Sequence, residues 1–317
     1  MATRPELAAL IALPDATAKA LAQDYVLHAS TSQALTSPAS AAMLAAVRGV
    51  VTNGSTGLNA AQMSALPRLE IVCAFGAGFE NIDVAEAGRR GIVVTNAPGT
   101  NTETVADHAL GLMLALARNY VELDRRVRAG GWQQARQARP TLYGASLGIL
   151  GLGQIGAAIA RRAAAFGMSI AYCNRRPIAS AQWRHVPTPV ALAEAVDYLV
   201  VSCPGGPSTR HIVDRSVLEA LGPGGYLVNV SRGSTVDSDA LAALLHAGHL
   251  GGAALDVVEG EPDIPARLLA ARNVLFTPHV AGRSPAAQQA QERALLQALH
   301  AQFSGAPVPH VVERRHA

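Results

Sequence analysis

Lysine is almost missing from these 317 residues; Lys19 is the only one, so arginine carries nearly all of the positive charge. We read that bias as one of composition rather than of mechanism. Aromatic residues are also scarce, at 4%, and the arginines are scattered along the chain. A net charge of +3 and a pI near 9.0 therefore describe a mildly basic surface, without the basic stripe and interleaved rings that nucleic-acid binding needs. Cysteine is limited to Cys73, Cys173 and Cys203, an odd number that argues against a disulfide framework. All three sit at or near the ends of apolar runs and read as small buried hydrophobes. Long hydrophobic runs are lacking as well: the richest, Val105 to Ala117, is interrupted by Asp107 and His108 and is too short to span a bilayer. The opening MATRPELAAL has no long apolar stretch followed by a cleavage-like site, so the expectation is a cytoplasmic protein with no membrane partner. The ten histidines form no local cluster with zinc-ligand spacing, so no metal is expected.

What is present is apolar material in quantity. Half of the residues are hydrophobic, mean hydropathy is +0.20 and 15% are charged, which suits packed cores and excludes disorder. The length is more than one core holds comfortably, because domains cluster at ~100–200 residues, and two domains are expected. From Tyr143 onward, β-rich runs alternate with helical ones: SLGIL, QIGAAIARRAAAF, MSIAYC, PVALAEAV, DYLVVSC, RSVLEAL, GYLVNV, DSDALAALLHAG, GGAALDV and NVLFTPH. This alternation predicts a parallel sheet with helices on both faces, and the lack of polar alternation within the strands agrees. Gly167 suits the end of the first helix, Pro189 the first turn of another, and Asp237 a cap before DSDALAALL. GVVTN, LEIVCAF, VAEAGRR and GIVVTN repeat the same logic on a smaller scale earlier in the chain.

The fold class is thus α/β, with two doubly wound parallel-sheet, Rossmann-like domains and a cleft between them. We place the first crossing at the turn-rich NAPGTN, before the long helical pattern TETVADHALGLMLALARNYVELDRRVRAG. The helical PAAQQAQERALLQALHAQFSG returns to the first domain, leaving PVPHVVERRHA as an extension. The expected substrate-binding domain is 1–98 with 286–317, and the expected dinucleotide-binding domain is 99–285.

Gly151, Gly153 and Gly156 make G-x-G-x-x-G between the strand-like SLGIL and the helix-like QIGAAIA. The first glycine permits a tight turn, the second lets a pyrophosphate approach the backbone, and the third lets the helix pack closely on the sheet. Roughly twenty residues later, where such folds often carry an acid for the ribose hydroxyls of NAD, this chain reads SIAYCNRRP. Asn174, Arg175 and Arg176 offer donors and positive charge that suit a 2'-phosphate, so NADP(H) is expected over NAD(H). The alternative is a solvated loop end.

Three charged residues follow strand-like runs: Arg232 after YLVNVS, Glu261 after AALDVVEG and His279 after VLFTP. Ligands of doubly wound sheets collect beyond the carboxyl ends of the strands, so these three can meet. Reducing a 2-ketoacid needs a cation for its carboxylate, a proton donor for its carbonyl oxygen and a hydride beside its carbonyl carbon. Arg232 supplies a planar fork for the carboxylate and carbonyl, and His279 can give the proton. Glu261, on the other ring nitrogen, would orient the imidazole and favour its protonated form.

The stretches GAGFENIDV, GIVVTNAPGTNTETVADHALGLML, LGILGLGQIG, VNVSRGSTVDSDAL, AALDVVEGEP and NVLFTPHVAG cover about residues 70 to 285. On them the chain resembles the D-isomer-specific 2-hydroxyacid dehydrogenase family, most of all its glyoxylate/hydroxypyruvate reductase branch. The resemblance implies that Arg232, Glu261 and His279 are the catalytic set and that Gln154, Ile155 and Val230 join the glycine-rich loop at the cofactor. It implies Asp256 near the nicotinamide amide, Thr104 and Thr209 on the nicotinamide side, Cys203 and Pro204 at the adenine end, and Gly282 beside the nicotinamide. The backbone around Ala77 and Gly78 would help Arg232 hold the substrate, and Asn53, with Gly54 and Ser55, would line the opposite wall.

A homodimer is also implied, with Trp132 near the partner, either beside its active site or as an interface anchor only. His108 is expected as a helix residue packed at an interface rather than as a second catalytic base. Arg283, where relatives have small residues, could meet an acidic or larger substrate or point to solvent. The expected activity is NADPH-dependent reduction of glyoxylate or hydroxypyruvate to the 2-hydroxyacid. The alternatives are a reductase of a larger 2-ketoacid, a dehydrogenase of another small anion, and a dinucleotide-sensing corepressor-like interaction protein.

Overall fold

The structure, a computed structural model, describes residues 4–37 and 41–312. The chain divides into two compact units, Met1–Asn101 with Ser284–Ala317, and Thr102–Arg283. The first unit is built on β1 (Glu6–Ala9), β2 (Val26–Ala29), β3 (Val47–Thr52), β4 (Ile71–Ala74) and β5 (Val93–Thr95), in the order β2-β1-β3-β4-β5. The second is built on β6 (Ser146–Leu150), β7 (Ser169–Cys173), β8 (Arg184–His185), β9 (Tyr198–Val201), β10 (Tyr226–Asn229), β11 (Gly252–Leu255) and β12 (Val274–Phe276). Its order is β12-β11-β10-β9-β6-β7-β8, and every strand pairing in both sheets is parallel. The α/β class with two parallel sheets is what the alternating runs predict.

Successive strand residues face opposite ways, so a parallel strand must be apolar at every position when helices cover both faces. On β9, Tyr198 and Val200 enter one core while Leu199 and Val201 enter another. In the first unit Val50 and Val72 serve one core, and Val51, Ile71 and Cys73 the other. Burial pushes the Cys73 thiol up to about 12, so it remains a protonated small hydrophobe. The helix Pro285–Ser304 belongs to this unit: Leu295, Ala298 and Leu299 pack with Leu7, Leu21 and Val51, and Thr17 Oγ1 donates to Glu292 at 2.6 Å.

Two sequence expectations need correction, and one region went unread. The long helical pattern from Thr102 breaks at Asn119, whose left-handed φ of 54° ends the helix Thr102–Arg118 and starts the helix Tyr120–Arg128 in a new direction. The first part of the chain also holds β1, β2 and the helix Asp15–Asp24, for which ELAA and VLHA gave no strand-like signal. The carboxyl tail is not a free extension as far as Val312: that residue's N–H donates to Val94 at 2.8 Å, and Val311 bridges Thr95 in antiparallel sense. Residues 313–317 lie outside the described residues. Among the described residues no helix is long and apolar enough to cross a membrane.

Candidate active site

The loops beyond the carboxyl ends of the seven-stranded sheet carry most of the singled-out residues. After β6 the chain turns at Gly151, whose φ of +99° and close approach to the Cys203 backbone, 2.5 Å from where a Cβ would stand, admit only glycine. Ser202 Oγ donates to the Gly151 carbonyl at 2.8 Å, and the Leu152 N–H donates to Asn174 Oδ1 at 2.6 Å. The helix Gln154–Ala165 follows with no side chain capping its start, and nothing stands within 4 Å of where a Cβ on Gly153 would be. Open space at Gly153 against the uncapped helical N–H groups of Gln154 and Ile155 fits a dinucleotide pyrophosphate.

Beyond β7, the Asn174 side-chain oxygen ties this strand end to the glycine-rich loop, which leaves its Nδ2 hydrogens as the donors. Arg175 and Arg176 are exposed and pair with no acid among the described residues. After β9, Cys203 is buried, which pushes its thiol up to about 11, and Ser231 Oγ donates to its carbonyl. Thr209 Oγ1 donates to the Pro204 carbonyl at 2.7 Å. The placement of Thr209 and Pro204 at opposite ends of a dinucleotide is therefore corrected: a turn of only a few residues, Pro207–Thr209, folds one back onto the other. Val230, next to Ser231, is buried in the core that also holds Leu152.

Arg232 follows β10. Its Nη1 donates to the Ser231 carbonyl at 2.7 Å, and its own carbonyl accepts from Asn229 Nδ2 at 3.0 Å and Thr235 Oγ1 at 2.6 Å. A side chain on the next residue, Gly233, would collide with the backbone of Val258 and Glu259. That approach locks the Arg232 loop against the loop that bears Glu261. Glu261 accepts from the Val258 N–H at 3.2 Å, and its Oε1 lies 2.5 Å from His279 Nδ1. Burial works against its ionisation, yet the hydrogen bond and charge of His279, the Val258 N–H and the charge of Arg232 outweigh it, so the carboxyl is held below its ordinary range. The structure thus brings Arg232, Glu261 and His279 into one electrostatic neighbourhood. With Glu261 ionised, Nδ1 must be the donor and Nε2 is the nitrogen left to exchange.

His279 has a left-handed φ of 53°. The element beneath it is Asp256, 2% exposed at the end of β11. Its Oδ1 accepts from Thr277 Oγ1 at 2.6 Å and the Val280 N–H at 2.9 Å, its Oδ2 from the Ala281 N–H at 2.9 Å, and its carbonyl from the His279 N–H at 2.8 Å. His108 Nε2 stands 3.0 Å from Thr277 Oγ1, inside the second unit. Sequence reading placed His108 at an interface and passed over Thr277 and Gly233; the Thr277–Pro278–His279 run was the available signal for Thr277. A shallow hollow of about 520 Å³ lies along this network, lined by Thr104, His108, Thr277, Ala281 and Arg283 among others. Gly282 lies between the last two.

In the first unit, Asn53 follows β3 and its Oδ1 accepts the Thr56 N–H at 2.7 Å. Asn81 Nδ2 donates to the Ser55 carbonyl at 2.9 Å, which ties this loop to the one after β4. Asn96, after β5, holds the Ala77 carbonyl at 2.7 Å. Asn53, Ala77 and Gly78 are therefore neighbours along one braced sheet end.

The profile described as D-isomer specific 2-hydroxyacid dehydrogenase, NAD binding domain, matches residues 110–281, more than half of the chain. Among curated proteins, the glyoxylate/hydroxypyruvate reductase A of Arabidopsis thaliana is 46% identical over 260 residues, 82% of this chain and 83% of that protein. The hydroxyphenylpyruvate reductase of Plectranthus scutellarioides is 41% identical over 263 residues, 83% of this chain and 84% of that one. Among solved structures, an NADPH-dependent glyoxylate/hydroxypyruvate reductase from Sinorhizobium meliloti, in complex with NADP and malonate, aligns with a TM-score of 0.91 at 40% identity, over 99% of this chain and all of that one. The chain belongs to the D-isomer-specific 2-hydroxyacid dehydrogenase family, as a 2-ketoacid reductase of its glyoxylate/hydroxypyruvate reductase branch that works with a nicotinamide dinucleotide.

Proposed function

We propose that this protein reduces a small 2-ketoacid, glyoxylate or hydroxypyruvate by preference, and uses NADPH rather than NADH. The observation that carries the reading is the His279–Glu261 pair at 2.5 Å within the field of Arg232. The bound nicotinamide supplies the hydride. Arg232 takes the substrate carboxylate and polarises the carbonyl through its planar fork. Doubly protonated His279 gives the Nε2 proton to the carbonyl oxygen as the carbon accepts its hydride, while Glu261 keeps the Nδ1 proton in place. The imidazole is left neutral and regains its proton from solvent.

In this reading the unit Thr102–Arg283 is the dinucleotide-binding domain and the other unit is the substrate-binding domain. The glycine-rich loop receives the pyrophosphate, with Cys203, Pro204, Thr209 and Val230 lining the cofactor and Thr104, Asp256 and Gly282 serving its nicotinamide end. Asn53 and the backbone of Ala77 and Gly78 serve the ketoacid. Arg175 and Arg176, unpaired with acids and set after Asn174, receive the 2'-phosphate. The NADP in the Sinorhizobium meliloti relative supports this choice. A homodimer is part of the proposal, supported by the exposed Tyr120, Val121, Val127 and Trp132, the last 61% exposed, on the helices Tyr120–Arg128 and Trp132–Ala135.

The similarity to a hydroxyphenylpyruvate reductase favours a second reading, a larger aromatic ketoacid. One experiment separates the two: NADPH and NADH oxidation followed with glyoxylate, hydroxypyruvate, pyruvate and 4-hydroxyphenylpyruvate. The proposal expects the highest kcat/KM with NADPH and one of the first two. A preference for the aromatic acid selects the second reading, and a preference for NADH removes the phosphate assignment.

A further inference from the structure

We propose that the Thr277 hydroxyl, held between His108 and Asp256, is a positioning device that keeps His279 in its proton-donating place. The inference rests on the reading of His279 as proton donor.

His279 adopts a left-handed backbone conformation that residues other than glycine take infrequently, and the surrounding structure holds it there. The holding group is Asp256. Its carbonyl accepts the His279 N–H, and its carboxylate accepts from Thr277 on one side of the histidine and from Val280 and Ala281 on the other. The turn is thus pinned at both ends to one buried acid at the end of β11.

Thr277 has a single hydroxyl hydrogen, and at 2.6 Å it belongs to Asp256 Oδ1. The same oxygen, 3.0 Å from His108 Nε2, can then only accept, so His108 carries its proton on Nε2. His108 sits on the helix Thr102–Arg118, which is anchored by Val105, Ala109 and Leu112. The threonine therefore ties the turn to both the sheet and a core helix. Removing its hydroxyl would leave Asp256 short of one donor and His108 with only Asp256 Oδ1, 3.6 Å away, to face, and would leave the amino-terminal side of the turn held by the Thr277 N–H to the Leu255 carbonyl without its side-chain tie. An error of about an ångström in a proton donor is enough to lower turnover by up to a hundredfold.

The test compares Thr277→Val, which keeps the shape and loses the hydroxyl, with Thr277→Ser, which keeps the hydroxyl. Thr277→Val should lower kcat about tenfold, leave KM for NADPH unchanged and move the pH profile of kcat; Thr277→Ser should stay within about twofold of the parent. His108→Leu should lower kcat about threefold, and His108→Gln, whose amide can donate in place of Nε2–H, should restore it. This second pair decides the matter if Thr277→Val does not fold. A parent-like kcat and pH profile in Thr277→Val, or in His108→Leu where that pair decides, overturns the inference. So does equal impairment of the two variants at either position. His279→Ala is measured alongside: if it keeps full turnover, the reading of His279 fails, whatever Thr277 does.

Discussion

The two units share a plan, a parallel sheet with apolar cores on both faces, but end their strands in different chemistry. In the seven-stranded sheet, the ends of β10, β11 and β12 lead to Arg232, Asp256 with Glu261, and His279, charged or titratable side chains held by networks, while the end of β7 leads to the exposed Arg175. In the five-stranded sheet, the ends of β3, β4 and β5 lead to Asn53, Ala77 with Gly78, and Asn96, where neutral amides brace the backbone: Asn53 accepts the Thr56 N–H and Asn96 donates to the Ala77 carbonyl. The contrast teaches a division of labour within one fold class. On the proposed reading, proton transfer needs groups whose charge is tuned by neighbours, whereas the backbone that helps Arg232 hold the ketoacid needs only to be fixed in place.

The sharpest way to break that contrast is His279→Ala. Loss of a general acid should lower kcat on the order of a thousandfold while KM for NADPH changes little. Steady-state kinetics at saturating ketoacid check this, and unchanged turnover would remove the charged unit's claim to the proton step. Next in size is the pair Arg175→Ala with Arg176→Ala, which should raise KM for NADPH about tenfold and leave KM for NADH unaltered. Equal effects on the two cofactors would show a solvated loop end.

The first unit is probed by Asn96→Ala, which releases the Ala77 carbonyl. It should raise KM for the ketoacid about threefold with kcat and the NADPH KM retained. A fall in kcat of the size seen for His279→Ala would erase the division of labour.

The smallest effect concerns acid stability. The Glu261 carboxyl is held low in the folded state, burial opposing and His279, the Val258 N–H and Arg232 prevailing. A folded pKa below the unfolded one means that ionised Glu261 stabilises the fold above the ordinary carboxylate range, and that this is lost as pH falls through the lowered value. With 34% of the side chain exposed, solvent screening keeps the contribution small. Glu261→Gln should make Tm slightly less sensitive to acid below about pH 5. A Tm–pH curve superimposable on the parent's would show that the pairing serves orientation alone.

The strands and helices of the second unit were legible because β-rich apolar runs alternate with helical periodicity, and the caps at Thr188–Pro189 and Asp237 agree with the pattern. β1 and β2 were not, because four-residue runs rich in alanine and leucine carry no period of their own and become strands by pairing with β3 and with each other. The break at Asn119 was equally silent, since asparagine within a long helical pattern does not announce a left-handed turn. At the site, Arg232, Glu261 and His279 could be picked out by their places after strand-like runs. The roles of Thr277 and His108 could not, since 169 residues separate the two partners.

Composition, periodicity and the glycine spacing by themselves determined the class of fold, the dinucleotide loop and the residue types available for chemistry, because these depend on local sterics and on which faces must be apolar. Tertiary structure alone decided which of those residues meet. The pairing of Glu261 with His279, the clamp that Asp256 puts on the turn, the close approach of Gly233 to Val258 and the folding of Thr209 onto Pro204 all arise from where parallel strands end and loops cross. Hydrogen bonds act only within about three ångströms, and no spacing along a chain encodes that distance between loops remote in sequence.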